Sequence, residues 1–185
     1  MTNTYSKKSL GETLIQNIKE NDKASIIAAY FTIYGFHKLK NELSKIDNLK
    51  LILSSGLFSF EDRQLFSDKT TDINGDKYEY RFKNQLNIHK IAEECADWIS
   101  KKVEIKSTKM PGVIGTNLIH LKGETSTGIN ISTSNLSASD LGFAPNDKIT
   151  MNTVTHDSEV TEQMLNFINQ NWNNQALMAD VKKEV

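Results

Sequence analysis

Cysteine is almost absent from this 185-residue chain, since Cys95 is the only one. No disulfide can form within the chain, and Cys95 falls in an apolar helical pattern where a buried thiol is the ordinary interpretation. The N-terminus has no apolar run of signal-peptide length, and no segment approaches the roughly 20 apolar residues that cross a bilayer. We therefore expect a cytoplasmic protein that does not contact membranes.

An excess of positive charge is also missing, because 22 lysines and arginines face 23 aspartates and glutamates. No overall field attracts the chain to nucleic acid, so any phosphate binding must be local. The glycines form neither nucleotide-binding pattern, and the histidines lack the spacing of a zinc site. We expect no bound ATP, no metal and no other cofactor.

Apolar runs alternate with helical patterns along the chain, which predicts one α/β domain over residues 1–185. The run KASIIAAYFTIYGF, bounded by Gly35, is typical of a buried strand, and residues 36–45 have a helical pattern. A second short apolar run, LKLILSS, follows. Strand, helix and strand in this order predict a parallel pair joined by a right-handed crossover.

The remaining segments continue the alternation. Residues 1–22 carry an amphipathic pattern that predicts a surface helix ending near Asn21-Asp22. We also predict loop and short helix over residues 57–76, and a helix over residues 84–100 that leads into the strand VEIKST. The runs VIGTNLIHLKG and TGINISTSN are separated by a turn short enough for a hairpin. The segment DKITMNTVT predicts a further strand. Ser158 is a candidate N-cap of the next helix, and the closing run ALMADVKKEV looks helical and suggests a chain cut before its natural end.

The order of these segments, with STSNLSASDLGF on the late hairpin, resembles phospholipase D-like domains over nearly the whole chain. That family's hairpin carries H-x-K, several residues, and then G-S-x-N-L-T. The second half is matched by Ser132 to Ser137 and is followed by Asp140-Leu141-Gly142-Phe143. The resemblance implies a mixed β-sheet with helices on both faces, as in the domains at the N-terminus of some helicases and in some restriction endonucleases.

The resemblance also implies a chemistry. In the family, two histidines, from two motifs or from a homodimer, act on a phosphodiester without a metal: one attacks the phosphorus and the other protonates the leaving oxygen. Lysine and asparagine side chains hold the phosphate oxygens. In this chain the resemblance assigns phosphate binding to Thr133, Ser134 and Asn135, although such residues can equally cap a turn through the backbone.

Two alignments of the H-x-K motif remain open. One puts Gly115 where histidine belongs and Asn117 where lysine belongs, which removes catalysis. The other uses His120 and Lys122, which keeps the catalytic residues but places Lys122 at the strand end. A histidine among apolar neighbours is more often a core or edge residue than a catalyst, and Lys122 is most simply a turn lysine. We favour the degenerate alignment.

The leading hypothesis is a degenerate phospholipase D-like domain, the N-terminal part of a larger helicase or other DNA-processing protein, that serves DNA binding, dimerisation or regulation. The first alternative is an active metal-independent nuclease that works as a homodimer. The second is an interaction domain without nucleic-acid contact, which would suit the balanced charge. The implied partners are therefore DNA, a second copy of the chain, or a C-terminal helicase region.

Overall fold

Strands and helices alternate along the chain in the computed structural model, which describes residues 4–5, 8–55, 88–133, 135–147 and 149–182. The helices of this described part are α1 (Leu10–Asn17), α2 (Ile33–Lys45), α3 (Ile88–Lys102) and α4 (Ser158–Trp172). The strands are β1 (Thr4–Tyr5), β2 (Lys23–Ala28), β3 (Tyr30–Phe31), β4 (Asn48–Leu53), β5 (Val103–Thr108), β6 (Leu118–Lys122), β7 (Ser126–Asn130), β8 (Asn135–Leu136), β9 (Thr153–Thr155) and β10 (Met178–Asp180). The mixed α/β class predicted from the sequence is confirmed.

An 8-stranded sheet with the order β1-β9-β7-β6-β2-β4-β5-β10 forms the centre of the fold. Strands β2, β4 and β5 are parallel neighbours, and every other pairing in this sheet is antiparallel. The predicted parallel pair and the predicted β6–β7 hairpin are both present. Strands β3 and β8 form a separate parallel pair in which Tyr30 lies opposite Asn135.

Helices cover both faces of the sheet, as expected. One face packs against α1, α2 and α3 in a core that includes Leu10, Leu39 and Cys95. The other face packs against α4, whose buried Met164, Ile168 and Trp172 lie at helical spacing over the sheet. Because side chains alternate along a strand, each strand divides its residues between these two cores.

The strand predicted up to Gly35 ends earlier, and that boundary is a correction. Strand β2 stops at Ala28, and α2 begins at Ile33 behind the N-cap Thr32, whose Oγ1 accepts a hydrogen bond from Gly35 N at 3.1 Å. A short apolar run is compatible with a buried strand or a buried helix, and here the capping threonine decides in favour of the helix.

The prediction of a helix in ALMADVKKEV is wrong. Residues Met178–Asp180 form β10, which pairs antiparallel with β5, and Val181 N donates to Ile105 O at 3.2 Å. Pairing with the free edge of β5 outweighs the local helical pattern. The strand predicted in DKITMNTVT is confined to Thr153–Thr155, and residues 113–117 precede β6 rather than belong to it.

Other predictions concern segments of which the structure describes little or nothing. Residues 57–76 lie outside the described residues, as do residues 84–87 at the start of the predicted third helix. In the part of the chain that is described, no helix is both long and apolar enough to cross a membrane.

Candidate functional site

The parallel strands β2, β4 and β5 end together at one edge of the sheet, because Ala28 pairs with Leu53, and Leu53 with Ser107. Ligands of open α/β sheets commonly bind outside the carboxyl ends of such strands. Small polar residues occupy this end of the molecule. We call the following residues the carboxyl edge: Ser54, Ser55, Ser107, Thr108, Asn117, Thr133 and Asn135.

The degenerate alignment falls on this edge. Leu118 pairs with Ile27, so Asn117 lies level with the end of β2, and its carbonyl accepts a hydrogen bond from Ile131 N at 3.1 Å. Gly115 is exposed, and a Cβ placed on it would meet nothing within 4 Å. Of the two positions that would hold the family's histidine and lysine, Asn117 therefore lies next to the segment that leads to Thr133.

The proposed phosphate-binding residues differ in how much of them the structure describes. Thr133 is buried, and its Oγ1 donates to Asn135 O at 3.4 Å, which is the turn role predicted for such residues. Asn135 is anchored by the pairing of β8 with β3. Ser134 lies outside the described residues.

Three buried polar atoms at the carboxyl edge have no hydrogen-bond partner among the described residues: Ser55 Oγ, Thr108 Oγ1 and Asn135 Oδ1. An unsatisfied buried donor or acceptor costs about 1–3 kcal/mol, so each such atom requires an explanation. All three lie at one end of the sheet, and none of them carries a formal charge.

His120 lies elsewhere, in the middle of β6, between Ser25 on β2 and Gly128 on β7. Its side chain is only 1% exposed, and Nδ1 has no hydrogen-bond partner in the described structure. Burial, and secondarily the charge of Lys122, holds the pKa of His120 below its ordinary value of 6.5. The imidazole is therefore neutral at physiological pH.

A cavity of about 500 Å³ opens between α4 and the β6–β7 hairpin, and we call it the α4 cavity. His120 and Lys122 both line it, as expected for residues two apart on one strand. Its lining includes His120, Lys122, Glu124, His156, Thr161 and Glu162. His156 Nδ1 lies 3.1 Å from Thr127 Oγ1, which connects the cavity rim to β7.

The structure thus separates the two groups of predicted site residues. His120 is three residues along the chain from Asn117, roughly 10 Å at the rise of a strand, and it faces α4. Ile119 and Ile129 point the opposite way, into the core beneath α1 to α3. His120 and Lys122 share one cavity, whereas Thr133 and Asn135 lie at the carboxyl edge.

Sequence reasoning missed several residues of these two places, among them Ser55, Thr108 and His156. Ser55 and Thr108 carried a usable signal, because Ser55 ends the apolar run LKLILSS and Thr108 ends the alternating segment VEIKST. His156 carried none, since only the placement of α4 and β9 brings it to the cavity that His120 lines. Within the described residues no group of three or more His, Cys, Asp or Glu side chains could hold a metal ion.

No protein-family model and no curated protein matches the chain. Among solved structures the chain is similar to TrmBL2, described as an archaeal chromatin protein with a novel mode of DNA binding, at 12% identity and a TM-score of 0.41. The similarity covers 89% of this chain and 50% of TrmBL2, so the chain spans half the length of that protein.

Proposed function

We propose that this chain is a degenerate phospholipase D-like domain of a helicase or other DNA-processing protein, which binds the phosphate backbone of DNA at its carboxyl edge without hydrolysing it. Dimerisation, or docking to a C-terminal helicase region of a longer protein, would bring the bound DNA to its processing site. The chain itself contributes contact and positioning.

One observation supports this proposal above the others. In the favoured alignment Gly115 and Asn117 stand where the family has histidine and lysine, and Asn117 O accepts a hydrogen bond from Ile131 N, two residues before Thr133, so this half of the motif brings no imidazole. Without a nucleophilic nitrogen no phosphoryl–histidine intermediate can form there. A site that has donors for phosphate oxygens but no nucleophile binds and does not cut.

The carboxyl edge would hold phosphate by neutral hydrogen bonds. The hydroxyls of Ser55 and Thr108 are donors that have no partner among the described residues, and binding would have to uncover them because they are buried in the free protein. Asn135 is half-buried, and its Nδ2 would be the donor to a phosphate oxygen, since its unpartnered Oδ1 is an acceptor. No lysine or arginine belongs to this group of residues, so few counterions would be released on binding. We therefore expect weak DNA binding that depends little on salt.

Fluorescence anisotropy of labelled single- and double-stranded DNA tests the proposal in EDTA over a salt series. Asn135→Ala and Thr108→Val should each weaken binding several-fold, as expected for the loss of one hydrogen bond. Asn41→Ala, on the exposed side of α2, is the matched control and should bind like the wild type. Equal affinity in all variants would place DNA elsewhere on the protein, and the absence of any binding would favour an interaction domain without nucleic-acid contact.

A second candidate function has one specific observation in its favour: His120 and Lys122 line the same cavity. In this alternative the chain is an active metal-independent phosphodiesterase, with His120 as nucleophile, Lys122 on the phosphate and a homodimer that supplies the second motif. Asn135 lies outside the α4 cavity, so another group would have to replace it in phosphate binding.

Cleavage of labelled DNA in EDTA distinguishes the two proposals. The nuclease should keep cutting after chelation and lose that activity in His120→Ala. His120→Gln, a polar substitution of similar length, guards against loss of activity through misfolding. If the wild type cuts DNA and both variants fold but do not cut, the degenerate-module proposal is overturned. Absence of cutting by the wild type would support it.

A further inference from the structure

The α4 cavity combines features that its role in packing does not explain. Elsewhere on the sheet face beneath α4, Ile27, Ile52 and Leu118 pack on the helix, and the lysines Lys50 and Lys106 lie against Trp172. At the cavity end this face changes to a row formed by Ser25, His120 and Gly128 on three adjacent strands. An imidazole at a mid-strand core position is uncommon unless its nitrogens are used.

His120 provides the second, independent sign of a ligand. His120 is only 1% exposed and it lines the cavity. Its Nδ1 has no hydrogen-bond partner in the described part of the chain. Because the imidazole is neutral, it offers one donor and one acceptor nitrogen. Thr161 on α4 also lines the cavity; its buried hydroxyl donates to Ser158 O at 3.1 Å, so it can only accept a hydrogen bond from a ligand.

The charges at the cavity rim define the ligand class. Lys122 carries the positive charge, and Glu124 and Glu162 carry negative charges, all on side chains that line the cavity. Among the described residues none of these three forms an ion pair. A purely anionic ligand would meet two carboxylates and a purely cationic ligand would meet Lys122, whereas a molecule carrying both charges can satisfy both signs.

We infer that the α4 cavity is a binding site for a small zwitterion of the free amino acid type. The ligand carboxylate pairs with Lys122, its ammonium group pairs with Glu162, and His120 at the floor accepts or donates a hydrogen bond. A cavity of about 500 Å³ is within the size range of small-molecule sites. This site is separate from the carboxyl edge, so it stands independently of the proposed DNA contact.

Nuclear magnetic resonance of histidine ring nitrogens tests the inference on the full chain. The free protein amino acids are titrated singly, and His120→Gln identifies the His120 signals. We expect at least one amino acid to shift the His120 resonances saturably at millimolar concentration. Ethylammonium has only the ammonium group of an amino acid, acetate only the carboxylate, and glycerol neither charge. Each should bind roughly ten-fold more weakly than that amino acid.

Matched charge variants decide whether the rim recognises the ligand. Lys122→Gln and Glu162→Gln should each weaken binding by roughly ten-fold, whereas Lys90→Gln and Glu93→Gln, exposed on α3, should not change it. The inference is overturned if no amino acid gives a saturable shift, if inorganic phosphate alone does so, or if the rim variants bind like the controls.

Discussion

Gly35 in the first turn of α2 lies directly against the backbone carbonyl of Leu136 in β8, so closely that a β-carbon on residue 35 would overlap that oxygen. The contact fixes α2 against the β3–β8 pair, and Thr32 N donates to the same carbonyl at 3.4 Å. Asn135 precedes Leu136, so the same packing positions a proposed phosphate-binding side chain.

Gly35→Ala should therefore destabilise the protein. The added methyl group meets backbone that cannot rotate away, and such overpacking typically costs about 1–3 kcal/mol. Gly115→Ala is the matched control: a Cβ there meets nothing within 4 Å, and Gly115 is not among the positive-φ glycines. That control should leave stability unchanged or raise it slightly. Urea unfolding of the two variants measures the difference, and equal midpoints would contradict the contact.

His120 should make the protein less stable in mild acid. Its folded-state pKa is lowered by burial and by Lys122, so the unfolded chain binds a proton more readily than the folded one. Above the ordinary value of 6.5 the imidazole is neutral in both states and contributes no pH dependence. As the pH falls below that value, the unfolded state is favoured until the folded imidazole is also protonated.

Urea midpoints of the wild type and His120→Gln, measured between about pH 7.5 and pH 5, check this sign. The wild type should lose stability as the pH falls below 6.5, the ordinary pKa of histidine. The His120→Gln variant should lose measurably less stability over the same pH range. His89→Gln, at an exposed position on α3, is the matched control variant. Parallel slopes in wild type and His120→Gln would show that His120 is not desolvated.

Cys95 should be almost inert toward thiol reagents in the folded protein. Burial raises its pKa to about 12, against an ordinary value of 9.0, and its side chain is 2% exposed. The thiolate, which is the reactive form, is then depleted roughly a thousandfold at neutral pH. Because the chain has one cysteine, labelling with a chromogenic disulfide reports this site alone. Fast labelling without urea would contradict its burial, and the urea-unfolded chain is the control.

Local periodicity predicted those parts of the fold that depend on neighbouring residues. Strand β2, helix α2 and strand β4 follow one another closely, and a short turn joins β6 to β7, so their pairings were predictable. The pairing of β10 with β5 could not be predicted in this way. Residues Met178–Asp180 have a locally helical pattern, but they pair with the edge of β5, which is far away in the sequence.

The two candidate sites show the same limit. Asn135 and Thr133 could be predicted from a sequence motif. Only the tertiary structure shows that Thr108 and Ser55 lie at the same edge of the sheet and that their hydroxyl oxygens have no hydrogen-bond partner among the described residues. The hypothesis that His120 and Lys122 share a pocket needed only the two-residue period of a strand. That His156 and Glu162 line this pocket depends on where α4 packs, which no local pattern specifies.

The N-terminus of α4 offers a direct comparison between sequence expectation and structure. Ser158 was the predicted N-cap, but it is the first residue of the helix, and Asp157 is the cap. Asp157 Oδ1 accepts hydrogen bonds from Glu159 N at 3.0 Å and from Val160 N at 3.1 Å. A cap needs an extended backbone that turns its side chain back over the first amides, and Asp157 has it with ψ at 125°.

Asp157→Ala should therefore destabilise the protein by about 1 kcal/mol, because two amide groups of the first turn lose their acceptor. Ser158→Ala should stay within about 0.5 kcal/mol of the wild type, as is usual for an exposed position without such a role. Asp157→Asn keeps a capping oxygen but removes the charge that favours a helix N-terminus, so it should lie between these two. Urea unfolding measures the free energy of unfolding of the three variants. A larger loss of stability in Ser158→Ala than in Asp157→Ala would show that Ser158 is the N-cap.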